Sequence, residues 1–187
     1  MPASKRPRCQ ILNLLSEACL VVRDVERSDN KFEDRVDDLS QRIRSISSPD
    51  PVVASKPFDV DAIEVYKLAT MIYLVRASQR PTESTPWLGP LIDSAFQTHM
   101  KACTCPHFFP LLILACEARN DERRLAVLEM LERVNSDSAI RSIDQLKDVI
   151  RALWAQQDLN SDMDLLANYT SLLNTAVSSS SRLPSFA

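Results

Sequence analysis

The stretch Phe108-Phe109-Pro110-Leu111-Leu112-Ile113-Leu114-Ala115-Cys116-Glu117-Ala118, continued by Arg119-Asn120-Asp121-Glu122-Arg123-Arg124, decides the fold. Apart from Glu117, nothing from Phe108 to Ala118 is charged, so the segment is apolar on all sides, as in a helix packed centrally. Pro110 falls in its first turn, where the missing N–H costs little. It is too short to cross a bilayer, which takes roughly 20 apolar residues. At Asn120 the pattern changes abruptly. Asn120 is a good N-cap, and Asp121 and Glu122 place negative charge at the positive end of the next helix dipole. One helix ends and another begins within three residues, which is the grammar of an all-α protein.

The same grammar extends in both directions. C-terminal to Asn120, a sixth helix is expected to bury Leu125, Leu128, Leu131 and Val134, and a seventh to bury Ile140, Ile143, Leu146, Ile150, Leu153 and Trp154. A last helix carries Leu165, Leu166, Tyr169, Leu172, Leu173 and Val177. Toward the N-terminus, Trp87 to Lys101 has Leu88, Leu91, Ile92, Ala95 and Phe96 on one side, with Pro90 in its first turn. A third helix starts near Asp59 or Asp61 and runs to Ser78, apolar nearly all round over Leu68 to Val75. Phe32 to Ile46 shows a thin stripe of Phe32, Val36, Leu39 and Ile43 among many charges, and Ile11, Leu15, Ala18, Cys19 and Val22 share a face of the first helix. The fold class is therefore all-α, a multi-helix bundle of about eight helices joined by Pro-containing loops. The Ser47 to Pro57 stretch reads as a loop. It divides residues 1–56, an N-terminal helical arm and Pro/Ser linker, from a main helical body at 57–187.

Composition agrees. Gly89 is the single glycine of the 187 residues, and tight hairpins lean on glycine at φ > 0, so a β-rich fold is disfavoured. The 11 prolines sit mostly between apolar runs, where they stop helices instead of interrupting them. The formal net charge is −3, whereas a domain gripping nucleic acid by its phosphates carries a clear positive excess. Ile11 to Val22 is interrupted by Asn13, Ser16 and Glu17 and reads as an amphipathic helix, not a signal-peptide core. With no export signal, the five cysteines are expected to remain reduced thiols.

Several motifs together resemble one family. Phe109 to Arg124 is similar to the proline-led apolar helix and "CEAR-x-DE-x-R" junction of the fungal-specific transcription factor domain, the C-terminal regulatory region of zinc binuclear-cluster regulators. Tyr66-Lys67-Leu68-Ala69 through Ile72-Tyr73-Leu74 resembles its "YK-L-A-x-IYL" helix, and Val149 to Leu159, with Trp154 and Asp158, its "W-x-Q-x-DL" helix end. Leu172-Leu173-Asn174 and Leu183-Pro184-Ser185-Phe186-Ala187 resemble its "LN…LPSFA" ending. The resemblance covers roughly Phe58 to Ala187. It implies a helical regulatory and dimerisation region working in the nucleus, without a catalytic residue set. The family's DNA reader holds two zinc ions with six cysteines, including two C-x2-C pairs. The cysteines of this sequence are Cys9, Cys19, Cys103, Cys105 and Cys116, with no such pair. The zinc cluster is missing from them, and no direct DNA contact is expected.

The cysteines also raise the question of metal chemistry. His99, Cys103, Cys105 and His107 are the weak metal candidate: soft N and S donors suit zinc, and His99 and Cys103 are four apart. C-x-C is not a common structural zinc spacing, so packing at a helix end is the expectation and no metal or cofactor is. Neither histidine has the context of a cysteine hydrolase, and one glycine leaves no phosphate-cradling loop. No catalytic residue is assigned. Cys116, Glu117, Arg119, Asp121, Glu122, Arg123, Trp154 and Asp158 are family-motif residues expected to be structural, with the charged ones pairing between helices or favouring a helix start. Their rival role is a contact point for a partner or effector. Lys5-Arg6-Pro7-Arg8 is a weak basic patch for nuclear import.

The function expected is transcription regulation through protein–protein contacts, by a protein partner in a homo- or hetero-dimer with another regulator. It belongs in the nucleus, with the cytoplasm as the alternative, and away from any membrane. Two alternatives stay open: an effector-binding helical domain, with Phe108, Phe109, Tyr66 and Tyr73 lining a pocket, and a truncated regulator with no independent role.

Overall fold

A computed structural model describes residues 7–23, 30–46, 58–78, 86–100, 108–137 and 142–159. Among them there are seven α-helices and no strand: α1 (Pro7–Arg23), α2 (Asn30–Ser45), α3 (Phe58–Ser78), α4 (Leu88–Ser94), α5 (Phe108–Glu117), α6 (Asp121–Asp137) and α7 (Ser142–Leu159). Helix α4 continues into a π-helical turn, Ala95–His99, where the Met100 N–H reaches back to the Ala95 carbonyl. The all-α fold is the one that the sequence predicts. The last expected helix, around Leu165 to Val177, lies outside the described residues.

Helix α3 is the axis of the molecule. It packs against α1, α2, α4, the π turn and α5. Ala62, Val65, Ala69, Ile72 and Leu74 are buried, and no residue from Asp61 to Ser78 is fully exposed. A helix contacted from so many directions has no face left for water, which is why its sequence lacks an amphipathic stripe. Thr70 is buried within this apolar surround and donates its hydroxyl to the Tyr66 carbonyl one turn back, at 2.7 Å. That bond satisfies the buried hydroxyl.

Helix α5 is the second buried helix. It touches α3 on one side and α6 and α7 on the other, and Leu111, Ile113, Leu114, Ala115 and Cys116 are fully buried. Two helix trios, α1/α2/α3 and α5/α6/α7, are thus joined through the α3–α5 contact, and their apolar side chains form one continuous core.

The outer helices are ordinary amphipaths. Helix α2 buries Phe32, Leu39, Ile43 and Ile46, with Val36 partly covered, while its outward face carries Glu33, Asp34, Asp37, Asp38, Arg42 and Arg44. The bidentate pair of Arg42 with Glu17, at 2.7 and 3.0 Å, links α2 to α1. Helix α1 buries Ile11, Leu14, Ala18, Val21 and Val22. Its buried face is thus turned toward Leu14 and Val21 from the one expected, leaving Leu15 partly covered and Cys19 exposed.

Helix α6 corrects a second expectation. Leu125 is 56% exposed, and the buried face is Val127, Met130, Leu131 and Val134. Each step of three residues falls about 60° short of a full turn. The run Leu125, Leu128, Leu131, Val134 therefore walks around half the helix: Leu125 is turned out, Leu128 is partly buried against the core, and Leu131 and Val134 are buried. Asn120 does cap α6: its side-chain oxygen accepts the Arg123 N–H at 2.9 Å. Asn120→Ala is expected to lower the unfolding free energy by about 1 kcal/mol, read as a shift of the urea midpoint at unchanged slope.

Candidate functional site at the Glu117 helix junction

Helix α5 ends inside the protein, so its last carbonyls need partners other than water. Four successive carbonyls obtain them from side chains of α6 and α7. The Ala115 carbonyl accepts the Trp154 indole N–H at 2.9 Å, and the Cys116 carbonyl accepts the Gln157 amide at 2.9 Å. Arg123 donates to the Glu117 carbonyl at 3.3 Å and Arg124 to the Ala118 carbonyl at 3.2 Å. Backbone bonds tighten the same turn, from Ala118 N–H to Ala115 and from Arg119 N–H to Glu117. Cationic donors at a helix C-terminus also complement its dipole.

Glu117, Arg123 and Arg124 of this turn are paired with groups on other helices. The Glu117 side chain is buried and takes two parallel bonds from Arg76 at the end of α3, each 3.0 Å. Arg123 lies over the Phe96 ring, 5.3 Å from its centroid, and bonds Asp93 of α4. Arg124 covers the Trp154 ring at 5.4 Å and grips Asp158 with two bonds of 2.9 and 2.6 Å. Within one cluster α3, α4, α5, α6 and α7 are tied together. The Arg133 guanidinium adds a bond of 2.6 Å from α6 to the Met100 carbonyl just after the π turn.

Arg124 holds the Asp158 carboxyl below its ordinary value of 3.8, and Asp158 in turn raises Arg124. A carboxylate whose folded pKa is depressed contributes stability above its unfolded pKa and loses that contribution as pH falls through the folded one. The melting temperature of the wild type is therefore expected to exceed that of Asp158→Asn near neutral pH. The gap should close below the ordinary carboxylate range, which a pH series of thermal melts checks.

Of the motif residues singled out in the sequence, Cys116, Glu117, Arg123, Trp154 and Asp158 converge here, while Arg119, Asp121 and Glu122 face solvent at the rim. Arg124, the last residue of the quoted junction motif, joins them, and Arg76, Asp93 and Gln157, which the sequence does not mark as site residues, complete the cluster. Arg76 had a signal: it is a lone charge closing a helix that is otherwise apolar from Leu68 onward. Asp93 had none, because its role depends on where α4 lies beside α6. Among the described residues the junction brings together no nucleophile–base pair, and Cys116 is a buried thiol outside any disulfide. What it can do chemically is hold five helices at fixed angles.

The other candidates fall elsewhere. Cys103, Cys105 and His107 lie outside the described residues, and His99 is placed by its backbone alone, closing the π turn. Lys5 and Arg6 are also outside. Of the aromatic residues proposed for an effector pocket, Tyr66 and Phe108 are buried, and Tyr73 meets Phe109 edge to face with centroids 5.5 Å apart. Trp87 is exposed, with Arg44 of α2 at 5.1 Å from its ring. No helix among the described residues is long and apolar enough to cross a membrane.

A family model described as "Fungal specific transcription factor domain" matches residues 8–177. The match reaches back through α2 and α1, beyond the motifs that begin at Phe58, and stops before Leu183-Pro184-Ser185-Phe186-Ala187. A curated relative, "Transcription factor iacI" of Pestalotiopsis fici, is 27% identical over 189 residues, covering 96% of this chain. The chain spans about half, 47%, of that relative's length. No solved structure matches the chain.

Proposed function

This chain belongs to the fungal specific transcription factor domain family, and from that premise we propose that it is a helical transcription-regulatory domain that acts in the nucleus through contacts with other proteins and catalyses no reaction. The observation that carries the reading is the family match over residues 8–177, which reaches every described helix. The junction supports it. Its inward charges are spent on carbonyls and on each other, so the motif maintains a scaffold, and Asp121 and Glu122 lie exposed at its rim. DNA targeting comes from a partner or from a zinc cluster outside this sequence, because neither the five cysteines nor a net charge of −3 serves that task.

Tethering the chain to an unrelated DNA-binding domain upstream of a reporter tests this directly. The fusion is expected to change reporter output several-fold relative to the DNA-binding domain alone, and a fluorescent fusion is expected to concentrate in the nucleus. An intact, nuclear, promoter-bound fusion that leaves output unchanged would sink the proposal.

A further inference from the structure

Helix α6 sorts its charges by sign. Between Asp121 and Val134 its exposed residues are Asp121, Glu122, Leu125, Glu129 and Glu132, so every charge on that outward face is negative. Its three arginines turn back onto the protein: Arg123 to Asp93, Arg124 to Asp158 and Arg133 to the Met100 carbonyl. Leu125 sits in the middle of the face, one turn from Asp121 and Glu122 on one side and from Glu129 on the other. Helix α7 runs antiparallel beside α6, since Asp158 meets Arg124 at the start of α6 and Lys147 meets Glu132 nearer its end. Leu159, which follows Asp158, therefore stands at the same end of the pair as Leu125. These two are the most exposed large apolar side chains among the described residues, Leu125 at 56% and Leu159 at 84%.

The charge of this face says what covers it. Leucines ringed by carboxylates attract a surface of opposite sign and repel one of their own. Two copies set face to face about a two-fold axis would place carboxylate against carboxylate. The phosphates of nucleic acid and of anionic lipid are turned away for the same reason. Neighbouring helices lack this selectivity. Leu12 and Leu20 of α1 are exposed as well, but the exposed residues around them, Asn13, Ser16 and Cys19, carry no charge. Helix α2 mixes both signs, with Arg42 between Glu17 and Asp38. The α6 face is also held in place before any partner arrives. Val127, Met130 and Leu131 anchor its reverse side in the core, so docking onto it costs little ordering of this chain.

We propose that the outward face of α6, with Leu125 at its centre, Asp121, Glu122 and Glu129 around it and Leu159 at its edge, is a docking surface for a basic amphipathic segment of a different protein. Apolar side chains of that segment cover Leu125 and Leu159, and its lysines or arginines meet the carboxylates, as when a helix is laid down by its apolar stripe. The proposal rests on the reading of the chain as a domain that works through protein contacts, and it names the surface and the chemistry of the partner. Exposed charges at a contact act more on encounter and selectivity than on affinity, so the complex is short-lived and weakens with salt.

Fluorescence anisotropy on the full chain tests this with a labelled amphipathic peptide of leucine and lysine. Two controls accompany it: the same peptide with glutamate for every lysine, and the lysine peptide shuffled off the helical period. The lysine peptide is expected to bind at least about ten-fold more tightly than either control and to weaken between roughly 0.05 and 0.5 M salt, as screening shortens the reach of the charges. Leu125→Ala and Glu129→Lys replace exposed side chains and should keep the helical circular dichroism and melting temperature. Together they should weaken the lysine peptide about ten-fold or more, as for loss of a central contact. The same changes on α1 and α2, Leu12→Ala with Asp37→Lys, should leave its binding unchanged. In the reporter fusion above, Leu125→Ala/Glu129→Lys should remove most of the change in output. A lysine peptide that does not bind, equal binding of a control peptide, or equal loss from the α1 and α2 variants would each overturn the surface. So would a folded α6 variant that keeps the full reporter effect. That last result leaves the regulatory reading standing, which fails only when the wild-type fusion itself is silent.

Discussion

Arg76→Ala is expected to lower the unfolding free energy by about 3–5 kcal/mol, the usual loss when one partner of a buried ion pair is removed. The reason lies in the asymmetry of the pair. The Glu117 side chain is 2% exposed and that of Arg76 is 23% exposed. Without Arg76, a buried carboxylate loses both of the bonds that pair it. Glu117→Gln leaves the opposite problem, and a milder one, because the Arg76 head reaches solvent by a small rotation of its long stem. Urea denaturation should therefore place Arg76→Ala well below Glu117→Gln at similar slopes. The double variant Arg76→Met/Glu117→Leu should recover most of the loss, since a well-packed apolar pair replaces a buried ionic one at little cost. A single Arg76→Ala within about 1 kcal/mol of wild type, below the usual range for such a break, would show that the pair is solvated in solution.

Trp154→Ala should be comparably damaging, at about 3–5 kcal/mol for truncating a large buried aromatic. Three interactions end together. The indole fills space beside α5 and is only 8% exposed, its N–H satisfies the Ala115 carbonyl, and its face carries the Arg124 guanidinium. Trp154→Phe separates these effects. It keeps most of the volume and the ring face but removes the N–H, so a loss of about 1–3 kcal/mol is expected for the carbonyl left short of a partner. Melting of the two variants side by side checks the order. If Trp154→Phe were as damaging as Trp154→Ala, the hydrogen bond would dominate the packing, against the burial seen.

The junction shows how far residues alone can be read. Glu117 stood out as the first charge of the cluster that closes an apolar helix, and Asn120 with Asp121 and Glu122 as the start of the next, because both are statements about neighbours along the chain. The cap was visible in the same way. The partners of Glu117 and of the α5 carbonyls were not, because Arg76 is 41 residues from Glu117, as Gln157 is from Cys116, and Trp154 is 39 from Ala115. Only helix packing brings such groups within 3 Å. Leu125 marks a different limit. Its neighbours Ala126, Val127 and Leu128 are apolar too, so α6 offers two overlapping stripes, and the choice between them depends on where α5 and α7 lie.

By itself the sequence determined the all-α class, the abrupt junction at Asn120 and the family, since helix starts, stops and apolar runs are local and are written in adjacent residues. The tertiary structure decided which face of α1 and α6 is buried, which carbonyl of α5 each side chain caps, and that Leu12 and Leu20 stand in solvent. The physical reason is the same in each case. Burial and long-range hydrogen bonds depend on the direction in which one helix leaves its axis to meet another, and a helical period repeats around the whole circle without saying which side is in.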